Sequence, residues 1–222
     1  MSFLACLPLI EADLPAVLAL DQRALGGLWT RSGYQREIDS PVSDLRVLVS
    51  APYENLIEKR RHLPANTVDP TVAASDPTTA AKPASAITLL GSGCLWAILE
   101  EAHITTLAID PNSQGQKLGL LLLSDLLACA QQRGLTRATL EVRASNQRAL
   151  KLYQKFDFKE AGQRKRYYAE GENARILWRN HLQAEDCRAQ VAQEHSSAIA
   201  YIKTHQQHTV LTHTIRTENN LS

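Results

Sequence analysis

Residues 104–120 carry the plainest chemical suggestion in the chain. An apolar run, Ile104-Thr105-Thr106-Leu107-Ala108-Ile109, meets the turn Asp110-Pro111-Asn112-Ser113. Then Gln114-Gly115-Gln116-Lys117-Leu118-Gly119-Leu120 opens a long apolar stretch. A strand that feeds a helix through small residues leaves the first-turn amides without carbonyl partners, at the positive end of the helix dipole. Such a terminus suits a pyrophosphate, and Gly115 and Gly119 let one approach with no Cβ in the way. An ordinary strand-to-helix connection has the same residues, and on these alone the two readings stay open. The P-loop pattern G-x-x-x-x-G-K-[ST] and the dinucleotide pattern G-x-G-x-x-G are both missing.

Further on, Arg137-Ala138-Thr139-Leu140-Glu141-Val142-Arg143 alternates strictly. Ala138, Leu140 and Val142 point one way, so Glu141 projects the other way, into a cleft or into solvent. Tyr153 sits in a short helical stretch, 147–156, either as a core aromatic or with its hydroxyl reaching a site. Cys129, among Leu126, Leu127 and Ala130, has the setting of an inert packed thiol and not of a nucleophile.

These residues need a frame. Phe3-Leu4-Ala5-Cys6-Leu7-Pro8-Leu9 reads as a strand, with Pro8 at an edge or an end. Asp13 precedes the helical spacing of Leu14, Val17, Leu18, Leu20 and Leu25 and is placed to cap it, and Gly26-Gly27 stops it. Thr30 is placed to cap a second helix reaching Asp39, and 45–49 is the next strand. Residues 87–90 and 94–99 read as strand segments broken by Gly91-Ser92-Gly93. Strands at 104–109 and 137–143, helices at 118–132 and 147–156, and a terminal hairpin from 159–168 and 174–178 complete the pattern. The expectation is an α/β fold, a mixed sheet with helices on its faces.

Two segments fall outside that pattern. Residues 52–85 are rich in Ala, Thr, Pro and Ser, with too little apolar surface to offset the entropy of ordering. They are expected to be a flexible insertion in one domain spanning 1–182. Residues 183–222 are expected to be an extension, partly helical or disordered, whose His205, His208 and His213 carry no chemistry.

Composition excludes several classes. Among 222 residues, 24 Lys and Arg stand against 23 Asp and Glu, a net charge of +1 that gives no general attraction to nucleic acid or an anionic membrane. No apolar run approaches the roughly 18–20 residues of a membrane span. The first residues, MSFLACLPLIEADLP, lack the basic region and cleavage site of a secretory signal. Cys6, Cys94, Cys129 and Cys187 form no C-x-x-C pair and read as thiols of a reducing compartment. A cytoplasmic protein is expected, with no nucleic-acid or membrane partner and no metal.

The run Gln114-x-x-x-x-Gly119, preceded by Ile109-Asp110-Pro111 and followed by an apolar helix, resembles the acetyl-CoA loop of the Gcn5-related N-acetyltransferases (GNAT). Leu140-Glu141-Val142-Arg143-Ala144-Ser145-Asn146 and Ala149-Leu150-Lys151-Leu152-Tyr153 are similar to the ribosomal-protein-alanine N-acetyltransferase (RimI-like) family. So are Arg166-Tyr167-Tyr168 and Gly171-Glu172-Asn173-Ala174. The likeness covers 1–50 and 86–180. It implies the GNAT fold and direct transfer of acetyl from acetyl-CoA, in a ternary complex, to the N-terminal α-amine of a protein. By likeness that amine is the N-terminal alanine of a small-subunit ribosomal protein. Small-amine or lysine acetylation, and a non-catalytic acetyl-CoA-binding module, compete with this reading on the same fold.

The resemblance also implies roles. Acetyl-CoA contacts fall at Leu107, Ala108 and Ile109 through the backbone, at Gly115, Gln116, Lys117, Leu118, Gly119 and Leu120, and at Asn146. Glu141 becomes the general base, and Tyr153 the general acid that protonates the departing thiolate. Tyr167 or Tyr168 borders the peptide groove, only one of them if both lie on a strand, and Trp29-Thr30 lies toward the substrate. Two positions depart from the family pattern, each with a residue where relatives have glycine. Lys117 is expected to support phosphate binding only at negative φ, and Asp157 to close a helix in the left-handed region.

Overall fold

The computed structural model describes residues 2–64, 87–206 and 208–212. In chain order its elements are β1 (Ser2–Pro8), α1 (Leu14–Leu25), α2 (Arg31–Asp39), β2 (Ser43–Ala51), α3 (Glu54–Arg61), β3 (Thr88–Ile98) and β4 (Glu101–Ile109). There follow α4 (Leu118–Gln132), β5 (Arg137–Arg143), α5 (Gln147–Gln154), β6 (Lys159–Arg164), β7 (Ala174–Arg179), α6 (Glu185–Gln206) and β8 (His208–Val210). The strands form one sheet in the order β6-β7-β5-β4-β3-β2-β1-β8. Pairing is antiparallel except for β4 with β5 and β1 with β8.

Alternation along the strands sorts side chains onto two cores. Ala5, Leu7, Val47 and Val49 pack with Leu14, Val17, Leu20, Tyr34 and Ile57 of α1–α3 on one face. Leu4, Leu48, Leu95 and Leu140 pack with Leu121, Leu126, Leu150, Val191 and Ile202 of α4–α6 on the other. As expected, Thr30 caps α2, its hydroxyl accepting the Gly33 N–H at 3.2 Å. No helix among the described residues is long and apolar enough to cross a membrane.

Four expectations need correction. Asp13 does not cap α1: its carboxylate accepts the Ile10 N–H at 3.0 Å and pairs with Arg60 of α3, the two side chains being 1% and 3% exposed. A buried guanidinium is a stronger partner for a carboxylate than a helix amide. Gly91 and Gly93 do not break a strand but lie inside β3. A Cβ on Gly91 would stand 2.6 Å from Ile109 Cδ1, and one on Gly93 would stand 2.8 Å from Leu126 Cδ1. Close approach of neighbouring elements, not a turn, is what requires them.

The expected insertion is folded at its start, where α3 buries Ile57 and Arg60. Residues 65–86 lie outside the described residues. The helix expected in the C-terminal extension is present as α6, but the extension does not stand apart from the domain. α6 runs antiparallel along α4 and buries Cys187, Val191, Ala198 and Ile202, and β8 joins the sheet beside β1. His213 lies outside the described residues.

Candidate active site

β4 pairs with β5 only from Glu101↔Arg137 to Ile104↔Leu140. Beyond Ile104 the edge of β4 that faces β5 has no ladder partner among the described residues. A bulge falls at the same place. The β3–β4 register shifts between Cys94 and Leu95, leaving Thr105 unpaired. An extra residue reverses the alternation, so Ala102 and Ile104 face α4 before it and Leu107 and Ile109 after it. The result is a gap between two parallel strands that starts just past the Ile104↔Leu140 pair.

At the end of β4, Asp110 fixes the chain's exit. Its N–H donates to Leu90 O at 2.8 Å, and its carboxylate accepts the Asn112 N–H at 3.0 Å and pairs with Arg23 of α1 at 2.7 Å. Gly115 follows at φ +84° and Lys117 at φ +62°, directly before α4. Lys117 therefore does not meet the condition of negative φ set for phosphate binding, and the condition itself needs correction. It takes the left-handed conformation a glycine would take, at a cost of about 1 kcal/mol, and so preserves the course of the loop. Its ammonium lies 5.4 Å from the centre of the Tyr201 ring on α6.

The loop, α4 and α5 enclose a cleft of about 380 Å³. Leu107, Ile109, Gly115, Gly119, Asn146 and Tyr153 line it, and Lys117, Arg148, Lys151 and Lys155 give it four cations. Asn146 also caps α5, accepting the Ala149 N–H at 3.0 Å. Leu118 and Leu120 line the cleft as well, whereas Ala108 and Gln116 do not. Ala108 is buried, and the Gln116 carbonyl accepts from Gln206 of α6. An apolar slot between strands, outward-facing helix amides and a ring of cations fit a molecule with a thin arm and a polyphosphate, as acetyl-CoA has.

Glu141 stands on the opposite face, its side chain only 11% exposed. Its Oε1 is 3.0 Å from Arg164 Nη2 and its Oε2 3.3 Å from His103 Nε2. The polarity continues along β4 and β5: His103 Nδ1 meets Thr139 Oγ1 at 2.9 Å, and Thr139 Oγ1 donates to Glu101 Oε1 at 2.6 Å. A carboxylate only accepts, so the Thr139 proton points to Glu101 and Nδ1–H of His103 donates to Thr139. Nε2 is then the nitrogen on the Glu141 side, and it carries a proton to donate there only when the ring is an imidazolium. Sequence reasoning missed His103, because only the register His103↔Thr139 brings it beside Glu141. No sequence signal ties Arg164 to Glu141; the strand order β6-β7-β5 brings it there.

Tyr153 is buried, its ring centre 5.7 Å from that of Phe158. Burial, with a smaller push from Tyr168, raises its phenol well above the ordinary range, so it keeps its proton at physiological pH. Tyr167 and Tyr168 are not on a strand but in the connection between β6 and β7, so strand alternation does not separate them. Their rings meet edge to face at 5.2 Å, and the Arg143 guanidinium lies 3.9 Å from the Tyr168 ring centre. Burial raises the Tyr168 phenol, Arg143 opposes it, and Tyr167 and Glu141 add to the rise. Tyr168 thus feels both Glu141 and Tyr153. Trp29 packs edge to face on Tyr34 at 5.1 Å, beside the α1–α2 core. Asp157 adopts φ +59° just past α5, as expected.

Burial pushes the Cys129 thiol up to about 12 and Cys94 up to about 11, and raises Cys6 and Cys187 too. None is a thiolate at neutral pH.

A family model described as acetyltransferase (GNAT) family matches residues 68–158. The chain is 44% identical over 71 residues to the ribosomal protein bS18-alanine N-acetyltransferase of Escherichia coli (strain K12), covering 32% of this chain and 48% of that protein. It is 40% identical over 91 residues to a Bacillus subtilis (strain 168) protein provisionally named for the same activity, covering 40% of this chain and 60% of that one. The chain thus spans about half to three-fifths of the length of the curated relatives it matches. The crystal structure of the ribosomal-protein-S18-alanine N-acetyltransferase from Escherichia coli superposes with a TM-score of 0.58 at 26% identity, covering 84% of this chain and 97% of that one.

Proposed function

We propose, from the premise that this chain belongs to the GNAT family, that it acetylates the N-terminal α-amine of a protein, namely the N-terminal alanine of a small-subunit ribosomal protein. Acetyl-CoA, when bound, supplies the acyl group as a thioester. One observation carries the reading: the loop and its cations lie on one face of the sheet and Glu141 on the other, and the β4–β5 ladder stops at Ile104↔Leu140, one residue before Glu141.

In this reading the amides at the start of α4 and the cations Lys117, Arg148, Lys151 and Lys155 hold the phosphates. The β5-facing edge of residues 107–109, which has no ladder partner, lies along the pantetheine arm and donates to the thioester oxygen, where negative charge develops. Glu141 removes the proton from the attacking amine. That demand is modest, because a peptide α-amine has an ordinary pKa of about 7.7–8.0 and is partly neutral near pH 7. Arg164, with His103 in its imidazolium form, holds the carboxylate in place, and Tyr153 gives its proton to the departing sulfur.

Mass spectrometry of a peptide beginning with alanine, incubated with the purified protein and acetyl-CoA, tests this. The α-amine should gain one acetyl group, and a copy blocked at that amine but carrying an internal lysine should stay unmodified. Reaction only at lysine, or only with free polyamines, would make the substrate assignment wrong.

A further inference from the structure

The last two turns of α6 lie against the loop that precedes α4. The Tyr201 ring faces the Lys117 ammonium at 5.4 Å and stacks on His205 with centres 4.3 Å apart. Gln206 Nε2 donates to the Gln116 carbonyl at 3.3 Å. Ala198 and Ile202, on either side of Tyr201, are fully buried, so these contacts come from a helix anchored in the core.

What they touch is the strained point of the loop. Lys117 is a non-glycine residue at φ +62°, and its carbonyl accepts the Leu121 N–H at 3.1 Å as the first bond of α4. A lysine free to choose prefers a negative φ. In that basin the peptide plane joining Lys117 to Leu118 turns, and the Leu118 amide leaves the set that faces the cleft. Glycine would hold the same conformation without support. The chain therefore has a lysine where the loop suits glycine, and a distal helix that lands on that lysine.

We infer that α6 is a strut for the acetyl-CoA loop. Tyr201 and Gln206 are positioning residues that hold residues 116 and 117 in the geometry that aims the α4 amides at the cosubstrate phosphates. Neither residue lines the cleft, so the effect passes through Lys117 and not through contact with the ligand. The inference rests on the reading of this loop as the acetyl-CoA site.

Calorimetric titration with coenzyme A, together with steady-state kinetics, tests it. Tyr201→Leu with Gln206→Ala keeps apolar bulk on α6 and should raise both the Kd for coenzyme A and the KM for acetyl-CoA about fivefold, with kcat at saturation unchanged. In a Lys117→Gly background the same pair should change the Kd less than about twofold, since glycine takes the conformation unaided. Tyr201→Phe, which keeps the ring, should bind as the parent does. Gln206→Ala alone, at the helix end, should fold normally and weaken binding about twofold.

Equal weakening in both backgrounds, or none in either, overturns the strut while leaving the acetyl-CoA reading intact. A parent protein that does not bind coenzyme A at all overturns that reading, and the strut with it.

Discussion

Glu141 and His103 face each other across the parallel β4–β5 pair, Oε2 to Nε2 at 3.3 Å, and Thr139 holds the far side of the imidazole at 2.9 Å. In the proposed reaction His103 acts through Glu141, its imidazolium form donating to the carboxylate and setting where it points. Glu141→Gln should lower kcat by about 10²–10⁴-fold with little change in coenzyme A affinity. His103→Gln should lower kcat about tenfold in the parent and hardly at all in the Glu141→Gln background, because its effect runs through the missing carboxylate. Steady-state kinetics of the two single variants and the double variant read this out. Additive losses would mean that His103 works independently of Glu141.

The buried phenols predict an alkaline limit to stability. Burial raises Tyr153 and Tyr34 well above the ordinary tyrosine range. Above about pH 10 the unfolded chain releases these protons while the folded chain keeps them. The unfolded state then binds fewer protons, so stability falls as pH rises past that point. Urea unfolding followed between about pH 9 and pH 11 should show the fall, and Tyr153→Phe should make it shallower. The same substitution should lower kcat by about 10²-fold or more, since it removes the proposed acid.

The cysteines should be silent. With Cys129 pushed up to about 12 and Cys94 up to about 11, and with Cys6 and Cys187 raised as well, no thiolate is available at about pH 8. Iodoacetamide at that pH should leave the folded protein unmodified and fully active, and should label all four thiols once it is unfolded. Rapid labelling of a single cysteine with loss of activity would reopen an acyl-cysteine route.

The Arg60–Asp13 pair ties α3 to the start of α1, and the two side chains are almost wholly buried. Arg60→Met leaves Asp13 buried without its charge partner and should cost about 3–5 kcal/mol. Pairing it with Asp13→Leu should recover part of that loss, because the orphaned charge goes too. Chemical denaturation measures both. A loss below about 1 kcal/mol for the single change would mean that α3 contributes little to the fold.

How much of this was legible in the sequence depended on the range of the interaction. The α4 run, from Leu118 to the stop at Gly134, and the alternation from Arg137 to Arg143 are local patterns, and the structure places both elements at those bounds. The loop residues and Asn146 were found through their motif, and most of them line one cleft. What failed was set by contacts distant in sequence. Gly91 looks like a break until Ile109 is seen against it. Asp13 looks like a cap until Arg60 arrives from 47 residues away. α3 and α6 are too polar for their burial to show as a stripe, and His103 has no motif. The condition of negative φ at Lys117 is wrong because a glycine-like positive φ is what keeps the course of the loop, and that course is not legible in the residue type.

The central claim is that the amides at the start of α4 hold the phosphates of acetyl-CoA at the mouth of the β4–β5 gap. Backbone ¹⁵N–¹H spectra recorded during titration with coenzyme A test it most directly. The account predicts that the largest shifts fall on residues 115–120 and 107–109, saturating together. Saturable binding that leaves those amides unmoved, or no binding at all, would contradict it.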